Sequence, residues 1–271
     1  MFFADRSRCV NCGLCESICP ADLIVKGEDG YPEMFPQHAM RCIECGHCVL
    51  FCPKEAASLS FMKNTSLVKS DSLTVPTQLE FLNMIKTRRS VRYYEDKPVS
   101  RDLTLKLISE SLSAPSACNI QPVRWIISES RAKTKEVLDL MLCWLREEIF
   151  KDPTSRTSII GASLLAKAKT GVDAIFRGAP NIVVATVPKD HVCIEDGAIA
   201  LTYFELLCHS YGLGSCWAGY FTRALRASDE LQNFLQISDK EHVCGTLMFG
   251  YPSLKPVRHF APRREAKITW L

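Results

Sequence analysis

Two copies of one cysteine motif constrain the fold of this chain more than any other feature. Residues 9–20 read CVNCGLCESICP and residues 42–53 read CIECGHCVLFCP, so each copy follows C-x2-C-x2-C-x3-C-P at an offset of 33 positions. The copies place eight of the 14 cysteines of the 271-residue chain at Cys9, Cys12, Cys15, Cys19, Cys42, Cys45, Cys48 and Cys52. An internal repeat of this kind predicts two related halves packed about a pseudo-twofold axis.

The motif cysteines are predicted to bind metal rather than to form disulfides. The opening residues MFFADRSRC contain no apolar stretch long enough for a secretory signal, so we expect a cytoplasmic protein, in which thiols stay reduced. A zinc site takes its ligands in two pairs that close a single tetrahedron. Here three cysteines follow at three-residue intervals and a fourth precedes a proline, which is the bacterial motif for a 4Fe–4S cluster.

Over about residues 1–60 the chain resembles the bacterial two-cluster ferredoxins. In such proteins the fourth cysteine of each motif binds the other cluster. The resemblance implies one cluster held by Cys9, Cys12, Cys15 and Cys52, and a second held by Cys42, Cys45, Cys48 and Cys19. A segment this short builds little hydrophobic core, so we expect the clusters to stabilise it.

The domain organisation follows from where the cysteine motifs end. We predict a ferredoxin-like domain over residues 1–61, a polar, Ser/Thr-rich linker over residues 62–77 and a larger domain over residues 78–271. The whole chain is 47% hydrophobic and 23% charged, with a formal net charge of +3. Its basic residues form no long run, and no window approaches the roughly 18 apolar residues of a membrane span, so we expect neither a nucleic-acid partner nor a membrane partner.

Helical and strand patterns are mixed in the larger domain without a βαβ order, which predicts an α+β fold. Predicted helices cover residues 78–86, a segment capped by Ser100, residues 131–150, an apolar helix flanked by Gly161 and Gly171 within 151–177 (alternatively a surface helix pair), and residues 196–211, the last buried and ended by Gly212. Predicted strands cover residues 125–128, 182–187 and 243–249.

The cysteines outside the motifs lack ligand spacing, so Cys118, Cys143, Cys193, Cys208, Cys216 and Cys244 are predicted to be small buried hydrophobes.

Three separated stretches of the larger domain carry candidate cofactor ligands. Residues 87–94, TRRSVRYY, offer guanidinium groups that can bind a phosphate with paired donors. Residues 114–122, APSACNIQP, offer amides that both donate and accept. Residues 212–221, GLGSCWAGYF, follow a helix rather than a strand, which disfavours a Rossmann fingerprint and favours a backbone that passes close to a flat group. Each stretch alone also fits an ordinary turn.

In this order and spacing the three stretches resemble the flavin-dependent nitroreductase family, over about residues 80–265. The resemblance implies that Arg88, Arg89, Ser90 and Arg92 hold the FMN phosphate and reach the ring, with Arg263 and Arg264 as a second basic pair. It implies that a loop carrying Pro115, Ser116, Ala117, Asn119 and Gln121 contacts the FMN of the neighbouring subunit of a homodimer. It also places the backbone of Trp217, Ala218, Gly219 and Tyr220 beside the flavin ring.

The two predicted domains together indicate a redox enzyme. Iron–sulfur clusters pass single electrons, whereas a flavin accepts electrons singly and donates them in pairs. We therefore predict an FMN-dependent oxidoreductase that takes electrons from a low-potential donor, a ferredoxin-type protein or NAD(P)H, through two 4Fe–4S clusters to FMN. The acceptor would be a nitroaromatic, a quinone or an activated alkene. Two alternatives are a non-enzymatic electron carrier or redox sensor, and an NAD(P)H-driven nitroreductase with accessory clusters.

Overall fold

The computed structural model describes residues 1–62, 67–259 and 264–271. Residues 63–66 of the predicted linker and the predicted phosphate ligand Arg263 lie outside these ranges. The chain divides into two compact units: a cysteine-rich unit of residues 1–75 with 118–120, and a large unit of residues 76–117 with 121–271. Among the described residues, no helix is long and apolar enough to cross a membrane.

Short elements frame the two cysteine motifs in the cysteine-rich unit. In chain order they are β1 (Phe2–Ala4), α1 (Leu14–Ser17), β2 (Val25–Lys26), β3 (Pro32–Glu33), a 3-10 helix (Pro36–Arg41), α2 (His47–Leu50) and β4 (Ala57–Leu59). β1 pairs antiparallel with β4, and β2 pairs antiparallel with β3. The apolar core is small and is formed around Phe2, Leu23, Ile24 and Leu59.

The backbone repeats its conformation in the two halves of the cysteine-rich unit. Left-handed residues occur in pairs 33 positions apart, at Asn11 and Glu44, Gly13 and Gly46, and Asp22 and Glu55. α1 begins directly after Gly13 (φ 72°) and α2 directly after Gly46 (φ 73°). Glycine adopts this conformation without a steric penalty, so each motif turns into its helix at the same position. The matching backbone agrees with the relation between the halves that the sequence predicts.

The large unit combines seven helices with a four-stranded sheet among its described residues. In chain order the elements are α3 (Gln78–Thr87), α4 (Arg101–Ser111), β5 (Arg124–Ile127), α5 (Arg131–Lys151), α6 (Arg156–Lys169), β6 (Asn181–Pro188), α7 (Glu195–Ser210), β7 (Gly214–Trp217), α8 (Gly219–Ala227), α9 (Asp229–Phe234) and β8 (Glu241–Gly250). The strand order is β5-β6-β8-β7, and each neighbouring pair is antiparallel. The predicted α+β fold is confirmed.

Helices cover both faces of this sheet because successive residues of a strand point to opposite sides. Val183 and Ala185 of β6 are buried in the core that includes α4 and α7. Ile182 and Val184 are buried in the core that includes α5, α6 and α8. A Cβ at Gly197 of α7 would collide with Cys244 of β8, so this glycine sets how closely α7 approaches the sheet.

The structure differs from the sequence predictions at several places in the large unit. β7, α8 and α9 were not predicted, and the helix predicted within residues 151–177 is α6, which contains Gly161 instead of starting after it. Cys118 and Cys143 are exposed, so their prediction as buried hydrophobes is wrong, whereas Cys208 and Cys216 are buried as predicted. The predicted cap is present, since the Ser100 side chain accepts a hydrogen bond from the Leu103 N–H at the start of α4.

Candidate functional site

Four cysteines from both motifs line one cavity in the cysteine-rich unit. They are Cys9, Cys12, Cys15 and Cys52, the set that the sequence assigns to the first cluster. The rest of the wall is largely apolar and includes Phe2, Pro32 and Ala57. Burial raises the pKa of the Cys15 thiol to about 11, and the nearby Cys9 contributes to the increase.

The other four motif cysteines also lie together. Burial raises the pKa of the Cys48 thiol to about 11, and the surrounding thiols of Cys42, Cys45 and Cys19 raise it further. Only thiols within a short distance interact in this way. The structure therefore groups the eight cysteines as two sets, and each set takes three members from one motif and one from the other.

The fourth cysteine of each motif accepts a backbone hydrogen bond from four residues downstream. The Leu23 N–H donates to Cys19 Sγ at 3.4 Å, and the Ala56 N–H donates to Cys52 Sγ at 3.2 Å. Burial opposes ionisation of Cys52, but N–H groups that include that of Ala56 outweigh it and lower the pKa of this thiol. Such donors favour the thiolate, which is the form that ligates iron.

The thiols around the cavity are the ligand type that a 4Fe–4S cluster takes. Within residues 1–62, 67–259 and 264–271, no three His, Cys, Asp or Glu side chains lie close enough together to hold one metal ion. A 4Fe–4S cube instead needs four thiolates arranged around it, one for each iron atom.

A cleft of about 350 Å³ opens in the large unit where β7 ends and α8 begins. Trp217, Ala218, Gly219 and Tyr220 line it, together with Arg92. The Ala218 N–H donates to Thr246 O at 2.9 Å, which ties this turn to β8. Ala218 offers no side-chain cap to α8. The first N–H groups of a helix have no intrahelical acceptor, so those of α8 are available to a ligand in the cleft.

Arg92 reaches the cleft because the chain before it packs against β7. The Val91 N–H donates to Ser215 O at 2.9 Å, and Ser90 forms a parallel bridge with Ser215. A Cβ at Gly214 would lie 2.6 Å from the Val91 Cβ, so only glycine permits this approach. Residues 214 and 215 of the third stretch therefore pack against the chain's own residues 90 and 91, and the predicted flat group beside this stretch stays a prediction.

Arg88 makes an ion pair within the large unit instead of lining the cleft. Its Nη1 lies 3.1 Å from Glu205 Oε1. The other carboxylate oxygen of Glu205 accepts a hydrogen bond from Trp217 Nε1 at 3.4 Å. Glu205 is buried on α7, so it connects Arg88 to a wall of the cleft. Arg89 and Arg264 are likewise not among the described residues that line the cleft.

No residue of the Asn/Gln loop is among the described residues that line this cleft. Pro115, Ser116 and Gln121 line a separate cavity of only about 20 Å³. The loop is held by hydrogen bonds from the Ala117 N–H to Asp196 Oδ2 at 3.0 Å and from the Gln121 N–H to Ser116 Oγ at 2.9 Å. Cys118, Asn119 and Gln121 all have positive φ, between 49° and 54°, an uncommon conformation for such residues. Its predicted contact with a neighbouring subunit's FMN stays a prediction.

Three arginines of the cleft were not predicted from the sequence. Arg156, Arg177 and Arg223 line it beside Arg92. They come from α6, from the segment before β6 and from α8. Arg223 follows the third stretch by two positions and lies one helical turn after Gly219, a spacing that would have placed it on the same side of α8. Arg156 and Arg177 carry no comparable signal in the sequence.

Comparison with known sequence families assigns most of the chain. Residues 85–251 match the nitroreductase family, which is more than half of the sequence, and residues 8–57 match a 4Fe–4S dicluster domain. The chain belongs to the nitroreductase family. The predicted family and the oxidoreductase class are thereby confirmed, and the predicted cofactors agree with both matches.

Relatives of this nitroreductase-family chain include solved structures with the same fold. An FMN-bound nitroreductase from Bacteroides fragilis has a TM-score of 0.58 at 20% identity, over 71% of this chain and 98% of that one. An FMN-bound nitroreductase from Desulfitobacterium hafniense has a TM-score of 0.54 at 20% identity, with the same coverage of both chains. An Archaeoglobus fulgidus protein with the provisional name NADH dehydrogenase/NAD(P)H nitroreductase is 26% identical over 64% of this chain and 86% of its own length.

Proposed function

We propose that this nitroreductase-family chain passes electrons from two 4Fe–4S clusters through FMN to a small organic acceptor. The observation that carries the proposal is the cleft at the start of α8, in one chain with two sets of four cysteines. When bound, the clusters supply single electrons and FMN converts them to pairs. The acceptor class comprises nitroaromatics, quinones and activated alkenes.

The cleft suits a planar, anionic cofactor. Trp217 and Tyr220 are exposed there at 38% and 47%, although large aromatic side chains are usually well covered. Arg92 supplies positive charge, and the first N–H groups of α8 supply hydrogen-bond donors. These groups would bind and orient FMN, and Arg92 would offset the negative charge that a flavin ring gains on reduction. Burial raises the pKa of the adjacent Cys216, so this thiol stays protonated at neutral pH.

Each cluster would be held by one of the two cysteine sets. Cys9, Cys12, Cys15 and Cys52 would bind the first cluster, and Cys19, Cys42, Cys45 and Cys48 the second. The support is the shared cavity of the first set and the mutual proximity of the second. The backbone donors to Cys19 and Cys52 would stabilise the two thiolates contributed across the repeat.

A second copy of the chain would complete the FMN site. The loop with Pro115, Ser116, Ala117, Asn119 and Gln121 does not line this chain's cleft among the described residues, which supports a role in the site of a partner subunit. Light scattering of the FMN-loaded protein distinguishes this homodimer from a monomer.

Direct reduction by NAD(P)H is the competing route. The name of the Archaeoglobus fulgidus relative favours it, since that protein is described as an NAD(P)H nitroreductase. In this case the clusters would be accessory, and the nicotinamide would reach FMN from the cleft.

Anaerobic stopped-flow absorbance separates the two routes. The oxidised holoprotein is mixed either with a reduced ferredoxin or with NADH or NADPH, and flavin absorbance near 450 nm is followed. The proposal predicts rapid bleaching with the reduced ferredoxin, preceded by loss of the cluster absorbance. Rapid bleaching by a nicotinamide together with no response to reduced ferredoxin would overturn electron entry through the clusters.

A further inference from the structure

The cleft at the start of α8 is lined by four arginines and, among the described residues, by no acidic side chain. The arginines are Arg92, Arg156, Arg177 and Arg223. None of them forms an ion pair with a described carboxylate, in contrast to Arg88, Arg124 and Arg131. Residues 63–66 and 260–263 contain no Asp or Glu, so no partner is to be found there either.

These four guanidinium groups converge from separate parts of the large unit. Arg156 is the first residue of α6, Arg223 lies in α8, and Arg177 lies between α6 and β6. Each of these side chains is exposed to solvent. Like charges that line one cleft repel one another and destabilise the fold, and a bound anion relieves that repulsion.

The backbone at Arg177 is held in a conformation that arginine rarely adopts. Its φ is +59°, in the left-handed region. The preceding Phe176 is fully buried and packs against Phe221, which fixes one side of the turn. Asp173 accepts hydrogen bonds from the N–H groups of Ile175, Phe176 and Gly178 at 2.9–3.0 Å. The nearby carboxylate is thus used to shape the turn and leaves Arg177 without a carboxylate partner.

FMN binding, as proposed above, involves only one of these four arginines. FMN binding accounts for Arg92 and for the backbone and rings of residues 217–220. Arg156, Arg177 and Arg223 lie in the same cleft and have no role in that scheme. Guanidinium groups bind carboxylate and other oxyanions with paired, charge-assisted hydrogen bonds.

We propose that Arg156, Arg177 and Arg223 bind the oxyanion of the electron acceptor, so that this enzyme reduces carboxylate-bearing substrates in preference to neutral ones. This inference rests on the proposed function, because it assigns a substrate class to the same cleft. The three arginines orient the acceptor through its carboxylate, so that its reducible group would face the flavin held beside residues 217–220. A nitroaromatic, quinone or alkene without an anionic group would bind without these charge-assisted contacts.

A matched pair of acceptors tests the inference on the wild-type holoenzyme. The enzyme is first reduced anaerobically by titration with a chemical reductant. It is then mixed with 4-nitrobenzoate or with 4-nitrobenzamide, which has nearly the same shape and no charge. Reoxidation of the flavin is measured against acceptor concentration. We expect the half-saturating concentration of 4-nitrobenzoate to be about tenfold lower than that of 4-nitrobenzamide. This difference should become smaller as the NaCl concentration is raised. Equal half-saturation for the two acceptors at low salt overturns the inference.

Three variants test whether the anion that these arginines bind is the carboxylate of the acceptor or the phosphate of FMN. Arg156→Gln, Arg177→Gln and Arg223→Gln are each expected to raise half-saturation for 4-nitrobenzoate about tenfold and to leave that for 4-nitrobenzamide within about twofold. Arg146→Gln, at an exposed position of α5, is the matched control and is expected to change neither.

Flavin binding provides a readout that does not depend on turnover. FMN and riboflavin are titrated into the apoprotein of each variant, and flavin fluorescence is followed. We expect unchanged affinity for both flavins. A loss of FMN affinity with riboflavin affinity retained would show that these arginines hold the cofactor phosphate, and would overturn the inference while leaving the proposed function intact. Failure of the wild-type protein to bind either flavin would instead contradict the proposed function.

Discussion

The position of Arg92 at the cleft depends on a single glycine. Gly214 is buried in β7 and faces Val91, whose N–H bonds to the neighbouring Ser215. An added Cβ would lie 2.6 Å from the Val91 Cβ, which is closer than two carbon atoms can pack. The segment before Arg92 would therefore have to move away from β7.

Gly214→Ala is expected to lower the free energy of unfolding by about 1–3 kcal/mol, because it overpacks a buried contact. It should also weaken FMN binding, since Arg92 would be displaced. Urea unfolding followed by circular dichroism measures the first effect, and a flavin titration measures the second. Gly219→Ala is the control for stability, because its added Cβ has no neighbour within 4 Å. Equal unfolding midpoints for the two variants would contradict this account of Gly214.

Only some of the arginines that line the cleft could be predicted from the sequence. Arg92 was predicted because it belongs to a local motif, R-R-S-x-R. Arg156 and Arg177 are isolated in the sequence, and only the packing of α6 and of the segment before β6 brings them to the cleft. The ion pair of Arg88 with Glu205 joins residues 117 positions apart, which no local pattern reveals.

At the scale of elements, long periodic segments were predictable and short ones were not. α5 and α7 extend over 21 and 16 residues, and their apolar pattern and the stop at Gly212 located them. β7 has only four residues, GSCW, and its identity as a strand comes from pairing with β8. The cysteine repeat was the most informative element, because its resemblance to two-cluster ferredoxins implied the two sets of cysteines that lie together in the structure.

Cys12→Ala is expected to remove the first cluster and to destabilise the cysteine-rich unit, whose apolar core is small. Iron per chain should fall by about half, and FMN per chain should stay unchanged, because the described residues that line the cleft at the start of α8 belong to the large unit. Cys143→Ala is the matched control, since Cys143 is exposed and lies outside the motifs. Iron and flavin analysis of both variants checks the prediction. A parallel loss of FMN in Cys12→Ala would show that the two cofactor sites depend on each other.

At the scale of the whole molecule, the chain joins a carrier of single electrons to a site for a two-electron cofactor. The cysteine-rich unit carries the motifs of a 4Fe–4S dicluster domain, and the large unit carries the cleft at the start of α8. The family match, the dicluster match and the arginine-lined cleft together support one enzyme with two kinds of cofactor.

The cofactor content of anaerobically purified full-length protein tests this account most directly. Iron, acid-labile sulfide and flavin are measured per chain on the same sample, with zinc measured alongside. The account predicts about eight iron atoms, about eight sulfides and about one FMN per chain, as two 4Fe–4S clusters and one flavin require. Zinc in place of iron, or iron without bound flavin, would contradict it.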